Sequence, residues 1–164
     1  MPSVLHVLAP ADGGGMESVV HLLAGGLAAV GTPVHAHVIT VPGHRPPLTS
    51  VLEDVGVDVH VTEVAGRRYG FERERTRELC RSLGIDVVHT HGYRPDVIDA
   101  PAARGAGRPV VSTVHGFTGG GWKNAVYEWL QIRSLRRMDR VLAVSRPLME
   151  LLTRRGVPAS ALRL

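Results

Sequence analysis

Val4-Leu5-His6-Val7-Leu8-Ala9-Pro10-Ala11-Asp12-Gly13-Gly14-Gly15-Met16-Glu17-Ser18-Val19-Val20 is the stretch that decides the architecture of this 164-residue chain. An apolar run leads into three glycines, and apolar residues at helical spacing begin directly behind them. Strand, glycine turn and helix in that order aim a helix N-terminus and uncovered backbone amides at the space beyond a strand end. Such a space suits an anion or a sugar, because glycine lets the backbone approach closely and the helix dipole favours negative charge.

Working outward, the same unit recurs. The first strand is expected over about Ser3 to Ala9. The next helix carries Val19, Val20, Leu22, Leu23, Leu27 and Val30 on one broad buried face and stops at Gly31. Val34 to Val41 alternates as a second strand, and Pro42-Gly43-His44-Arg45-Pro46-Pro47 ends it. A short helix over Leu48 to Val55, a strand on Val57, Val59 and Val61, and a loop from Ala65 to Phe71 follow. Glu72 to Leu83 reads as an arginine-rich helix, Asp86 to Thr90 as a strand, and Pro95 as the opening of an alanine-rich helix. Pro109 to Val114 is the fifth strand, Ala125 to Met138 the longest helix, Arg140 to Val144 the sixth strand and Pro147 to Arg155 a last full helix. Val157 to Leu164 then reads as the run-up to a further strand, so the chain is expected to end mid-architecture. Strands alternating with helices at crossover length specify an α/β fold: a doubly wound, mostly parallel sheet with helices on both faces.

Composition narrows the class. One domain spanning 1–164 buries roughly 70% of its unfolded surface. Its 44% hydrophobic and 21% charged residues describe a globular chain, and no apolar run approaches a membrane span. With no signal-like leader, a cytoplasmic location is the expectation. The single Cys80 excludes an internal disulfide. A net charge of +4 invites a nucleic-acid reading, but Lys123 is the only lysine and the arginines alternate with acids, as in Glu72-Arg73-Glu74-Arg75. That pattern is a solvated, salt-bridged helix surface, so no nucleic-acid partner is expected. Arg67, Arg68, Arg73 and Arg77 offer a basic patch for peripheral membrane contact, without the bulky apolar face such a helix needs.

The glycine turn has neither Walker nor dinucleotide spacing. No Gly-Lys-Ser/Thr follows it, and Ile39-Thr40-Val41 ends the second strand without a ribose-binding acid. Gly14-Gly15-Met16-Glu17 instead resembles the G-G-x-E loop of family-4 retaining glycosyltransferases of the GT-B fold. Asp86-Val87-Val88-His89-Thr90-His91 is similar to that family's D-[VI]-[VI]-H-x-H strand, and Thr113-Val114-His115-Gly116 to its T-x-H-G strand end. Asp139-Arg140-Val141-Leu142-Ala143-Val144-Ser145 is similar to its D-x-[VI]-x-[AV]-x-S strand. Four motifs in order cover nearly the whole chain.

The resemblance implies the N-terminal, acceptor-side Rossmann-like half of such an enzyme. The C-terminal donor-binding domain would lie beyond Leu164. It also implies hexosyl transfer from a nucleotide-diphosphate sugar to an acceptor hydroxyl with retention, without divalent metal or other cofactor. The isolated half is expected to be inactive. His115 is the implied catalytic residue, with Gly14, Gly15 and Gly116 against the donor phosphates and sugar. Gly14 also fits a purely structural turn, and His115 also fits a hydrogen-bonded core histidine.

Glu17, His91, Arg94 and Trp122 are candidate acceptor contacts. Glu17 equally suits a first-turn carboxylate at the dipole's positive end. His89 reads as a buried, hydrogen-bonded residue and His91 as lying at the crevice edge. As a metal pair they lack a placed third ligand. Arg94 and Asp96 fit a surface ion pair as well as an acceptor site. Ser145, before Arg146-Pro147, reads as an N-cap, and Trp129 as a packing residue. The region Phe117-Thr118-Gly119-Gly120-Gly121 departs from relatives that carry a polar residue there. The rival class is a non-catalytic module that binds a sugar or a partner chain. Nucleotide-sugar epimerisation is a third reading, which the four motifs disfavour.

Overall fold

A computed structural model describes residues 1–10, 14–117 and 121–164, with no account of the Lys123 side chain. Asp12 and Gly13 of the first turn, and Thr118, Gly119 and Gly120 of the second glycine cluster, lie outside the described residues. The elements alternate: β1 (Val4–Leu8), α1 (Gly15–Ala29), β2 (Val34–Thr40), α2 (Leu48–Asp54), β3 (Asp58–Glu63), α3 (Tyr69–Ser82) and β4 (Val87–His91). They continue as α4 (Tyr93–Gly105), β5 (Val110–Val114), α5 (Trp122–Leu135), β6 (Arg140–Ala143), α6 (Arg146–Arg154) and β7 (Leu162–Arg163). The seven strands form one sheet in the order β3-β2-β1-β4-β5-β6-β7, and every pairing is parallel. The order reverses between β1 and β4, so the crevice of a doubly wound sheet opens beyond the C-terminal ends of those strands.

Two apolar clusters cover the two faces. Leu8, Ala36 and Val38 pack with Val20 and Ala24 of α1 and Leu52 of α2. Leu5, Val7 and Ile39 pack with Leu79 and Cys80 of α3 and with Ala100 and Ala103 of α4. Alternation along β1 puts Leu5 and Val7 on one face and His6 and Leu8 on the other. Ser145 caps α6 as its sequence context requires, accepting from the Leu148 N–H at 3.4 Å. Cys80 is fully buried, and burial raises its thiol pKa to about 11.

Several local expectations are corrected. The buried stripe of α1 is narrow: Val20 and Ala24 are sealed, while Leu22 is 71% and Val30 67% exposed. At about 100° per residue Leu22 lies about 200° from Val20, pointing away from the sheet. Three helices start earlier than expected: α3 at Tyr69 rather than Glu72, α4 at Tyr93 rather than Pro95, and α5 at Trp122 rather than Ala125. Glu72 is therefore interior to α3 and wholly buried, not part of a solvated face. Arg73 also turns inward, donating to the Ile98 carbonyl at 3.2 Å, while Arg75–Glu78 and Arg77–Glu74 form the expected surface pairs. Trp129 is 61% exposed beneath the Arg133 guanidinium, so it does not pack in the core.

Candidate active site

β1, β4 and β5 run parallel and adjacent, so their C-terminal ends deliver their turns to one edge of the sheet. A crevice of about 280 Å³ opens there, lined by Met16, Gly92, His115, Gly116, Asn124 and Tyr127 among others. The first turn of α1 and the residue after β5 thus meet at one place. His115 is half-buried. Its Nε2 is shielded from water and makes no hydrogen bond among the described residues. Desolvation lowers its pKa and the Glu17 carboxylate raises it, with desolvation the larger effect. The imidazole is therefore neutral at pH 7, with one nitrogen unengaged at the crevice wall.

Gly14 caps α1 with φ 172°, an extended conformation open to any residue, so backbone strain does not require glycine there. A Cβ on Gly14 would sit 2.8 Å from Glu17 Oε2, whereas one on Gly15 would meet nothing within 4 Å. Glu17 thus folds back over the helix start, as an acidic third residue does when it serves the dipole end. Gly15 leaves the first amides of α1 uncovered, available to an incoming acceptor group. Gly116, at φ 136°, and Gly92, the N-cap of α4 at φ 85°, hold conformations that favour glycine. The Gly92 turn was missed in the sequence reading. A glycine between the H-x-H strand and a helix was the signal for a second helix N-terminus at the same crevice.

Two expected contacts are corrected by burial. His91 is 0% exposed and lies behind His115, ring centroid to ring centroid 5.9 Å, so it is not at the crevice edge. It hydrogen-bonds His6 through Nε2 and His6 Nδ1 at 2.9 Å and stacks at 4.2 Å on His89, which is bonded to Thr113 Oγ1 at 2.8 Å. The buried, hydrogen-bonded reading of His89 holds. Burial depresses His6 to about 4, His89 to about 3, and His91 well below its ordinary value, so the three rings form a neutral layer.

Arg94 is not free for a ligand. Its Nε and a terminal nitrogen grip the fully buried Glu72 carboxylate, the shortest contact being 2.6 Å. Asp96 is no surface partner either: it is wholly buried and accepts from Thr90 at 2.6 Å, Ser112 at 2.8 Å and Gln131 at 2.8 Å. Desolvation outweighs those donors and raises its pKa to about 6. Trp122, at the start of α5, is 75% exposed beside Gly121.

This geometry has counterparts. Over 72 residues the chain is 39% identical to the UDP-Gal:alpha-D-GlcNAc-diphosphoundecaprenol alpha-1,3-galactosyltransferase of Escherichia coli, covering 41% of this chain and 19% of that one. In fold it is similar to Anabaena HepE, solved in complex with UDP-glucose, at a TM-score of 0.73 and 16% identity, covering 98% of this chain and 42% of HepE. It is also similar to a Listeria monocytogenes protein assigned as a UDP-N-acetylglucosamine 2-epimerase, at 0.67 and 12% identity, covering 98% of this chain and 43% of that one. The chain therefore spans less than half the length of these relatives, and the shared fold by itself does not separate transfer from epimerisation. The sequence profile of Glycosyltransferase Family 4 matches residues 13–164, and the chain belongs to that family.

Proposed function

We propose that this chain forms the acceptor-side half of a retaining glycosyltransferase that moves a hexosyl group from a nucleotide-diphosphate sugar to an acceptor hydroxyl. The observation that carries this reading is the meeting of the first turn of α1, at Met16, with His115 and its unengaged Nε2 in one crevice. The second, donor-binding domain would close over that crevice. The amides near Gly14 and Gly15 would face the donor phosphates. Gly116 would let the backbone pass close to the transferred sugar, and the neutral His115 would hydrogen-bond a sugar hydroxyl at the reacting carbon. Positioning and charge stabilisation are the whole contribution, and no metal or other cofactor enters the reaction. Glu17, whose carboxylate lies beside Gly14, would have to swing off the helix start before a phosphate could approach those amides. It is better suited to an acceptor hydroxyl or to orienting His115, while Trp122 offers an apolar face at the rim.

Amide NMR of the 164-residue chain titrated with a panel of UDP-hexoses tests the site. Shifts centred on Gly15, His115 and Gly116 are expected, and shifts confined to any other surface would refute it. The chain alone is expected to yield no product. Joined to the second domain of a family-4 relative it is expected to transfer sugar, and hydrolysis or epimerisation instead would favour the rival chemistry.

A further inference from the structure

We propose that His35, Asp58 and His60 form a binding site for a divalent transition-metal ion of zinc-like preference. The site lies at the N-terminal ends of β2 and β3, on the sheet edge opposite the crevice. Parallel register sets Asp58 against His35 and His60 against His37, and alternation keeps His35 and His60 on one face. His35 Nδ1 lies 3.0 Å and His60 Nε2 3.2 Å from the same oxygen, Asp58 Oδ2. The three donor atoms all fall within 4.8 Å of one another. Two ligands about 2.1 Å from a tetrahedral zinc stand roughly 3.4 Å apart, so each histidine–Asp58 distance need widen by only a few tenths of an ångström, and the two imidazole nitrogens lie within 4.8 Å of each other. His60 Nε2 is shielded from solvent and, like His35 Nδ1, meets the Asp58 carboxylate, so a bound ion would replace these two contacts with coordination bonds.

Two imidazoles and one carboxylate suit zinc, nickel or copper rather than magnesium or calcium. Asp58 is 59% exposed at its side chain, giving the ion an entry path and a coordination position open to water. The other three-ligand group, His6, His89 and His91, offers no carboxylate and no comparable opening to solvent: its rings are buried, and three of its nitrogens are engaged in the His6–His91 and His89–Thr113 hydrogen bonds. The charge of the Arg75 guanidinium, which pairs with Glu78 at 2.7 Å, also reaches His60 and opposes a cation there. A bound ion would pin the edge strand β3 to β2, a structural role separate from sugar transfer.

Calorimetric titration of the untagged chain with Zn²⁺ in a non-chelating buffer tests the site, with Co²⁺ absorption as a second readout. One ion per chain at micromolar affinity and a rise in melting temperature are expected. Asp58→Asn and His60→Gln should each weaken binding at least tenfold while circular dichroism stays unchanged, and Arg75→Gln should tighten it. Binding only at millimolar Zn²⁺ overturns the proposal. So does micromolar binding that survives both ligand substitutions, which would place the ion elsewhere.

Discussion

His115 and His91 sit one strand apart with ring centroids separated by 5.9 Å, yet they belong to different kinds of region. At the crevice mouth, His115 keeps a nitrogen unengaged and feels the Glu17 carboxylate. One layer deeper, His91 is locked in a stack of neutral rings, and on the opposite face Arg94 and Asp96 are consumed by internal partners. Residue type does not separate the two regions. Depth in the sheet does, because burial fixes both the protonation state and the number of partners a polar group must find.

The sharpest way to break the contrast is at the mouth. In the chain joined to a second domain, His115→Ala is expected to slow transfer about a hundred- to a thousandfold. Its denaturation midpoint should barely change, because its Nε2 has no hydrogen-bond partner among the described residues; a large loss of stability would move it into the deeper region. The reverse outcome is expected one helix away. Arg94→Ala leaves the buried Glu72 carboxylate without its cation and should cost about 3 kcal/mol by chemical denaturation, the low end for a broken buried pair because Arg94 is partly exposed. Saccharide-induced shifts at His115 should survive in whatever fraction remains folded.

Acid probes the deeper region collectively. His6, His37, His89 and His91 have depressed pKa values, so the unfolded chain binds their protons first as pH falls below 6.5, and stability is lost on that descent. Asp96, raised to about 6, and Asp99, raised well above the usual carboxylate range, act oppositely. Between pH 6 and 5 four protons oppose two, so unfolding free energy should fall by on the order of 2 kcal/mol per pH unit. A flat profile over that interval would show that the rings are hydrated rather than sealed. The smallest effect lies outside both regions: Ser145→Ala should cost about 1 kcal/mol through the lost α6 cap, read as a modest drop in melting temperature.

What the sequence revealed, and what it hid, follows from the same distinction. Strands and helices were readable because apolar period and glycine stops are local. The T-x-H-G strand end led directly to His115. The deeper polar region was not readable, since nothing in Glu72-Arg73-Glu74-Arg75 marks its first acid as the one that turns inward toward Arg94. Likewise His6, the third member of the ring layer, lies 83 residues before His89 in the sequence and meets it only through the β1–β4 register. The exposed Leu22 and Val30 show the converse limit: apolar letters on α1 suggested a broad face where the sheet covers only a stripe.

The sealed thiol of Cys80 has a practical consequence. Because it is the sole cysteine and its pKa is pushed up to about 11, the protein offers alkylating dyes almost no native target. A cysteine introduced in place of the exposed Trp122 would take a fluorophore selectively. That dye would report arrival of a saccharide or a companion domain at the rim, with no background from the interior.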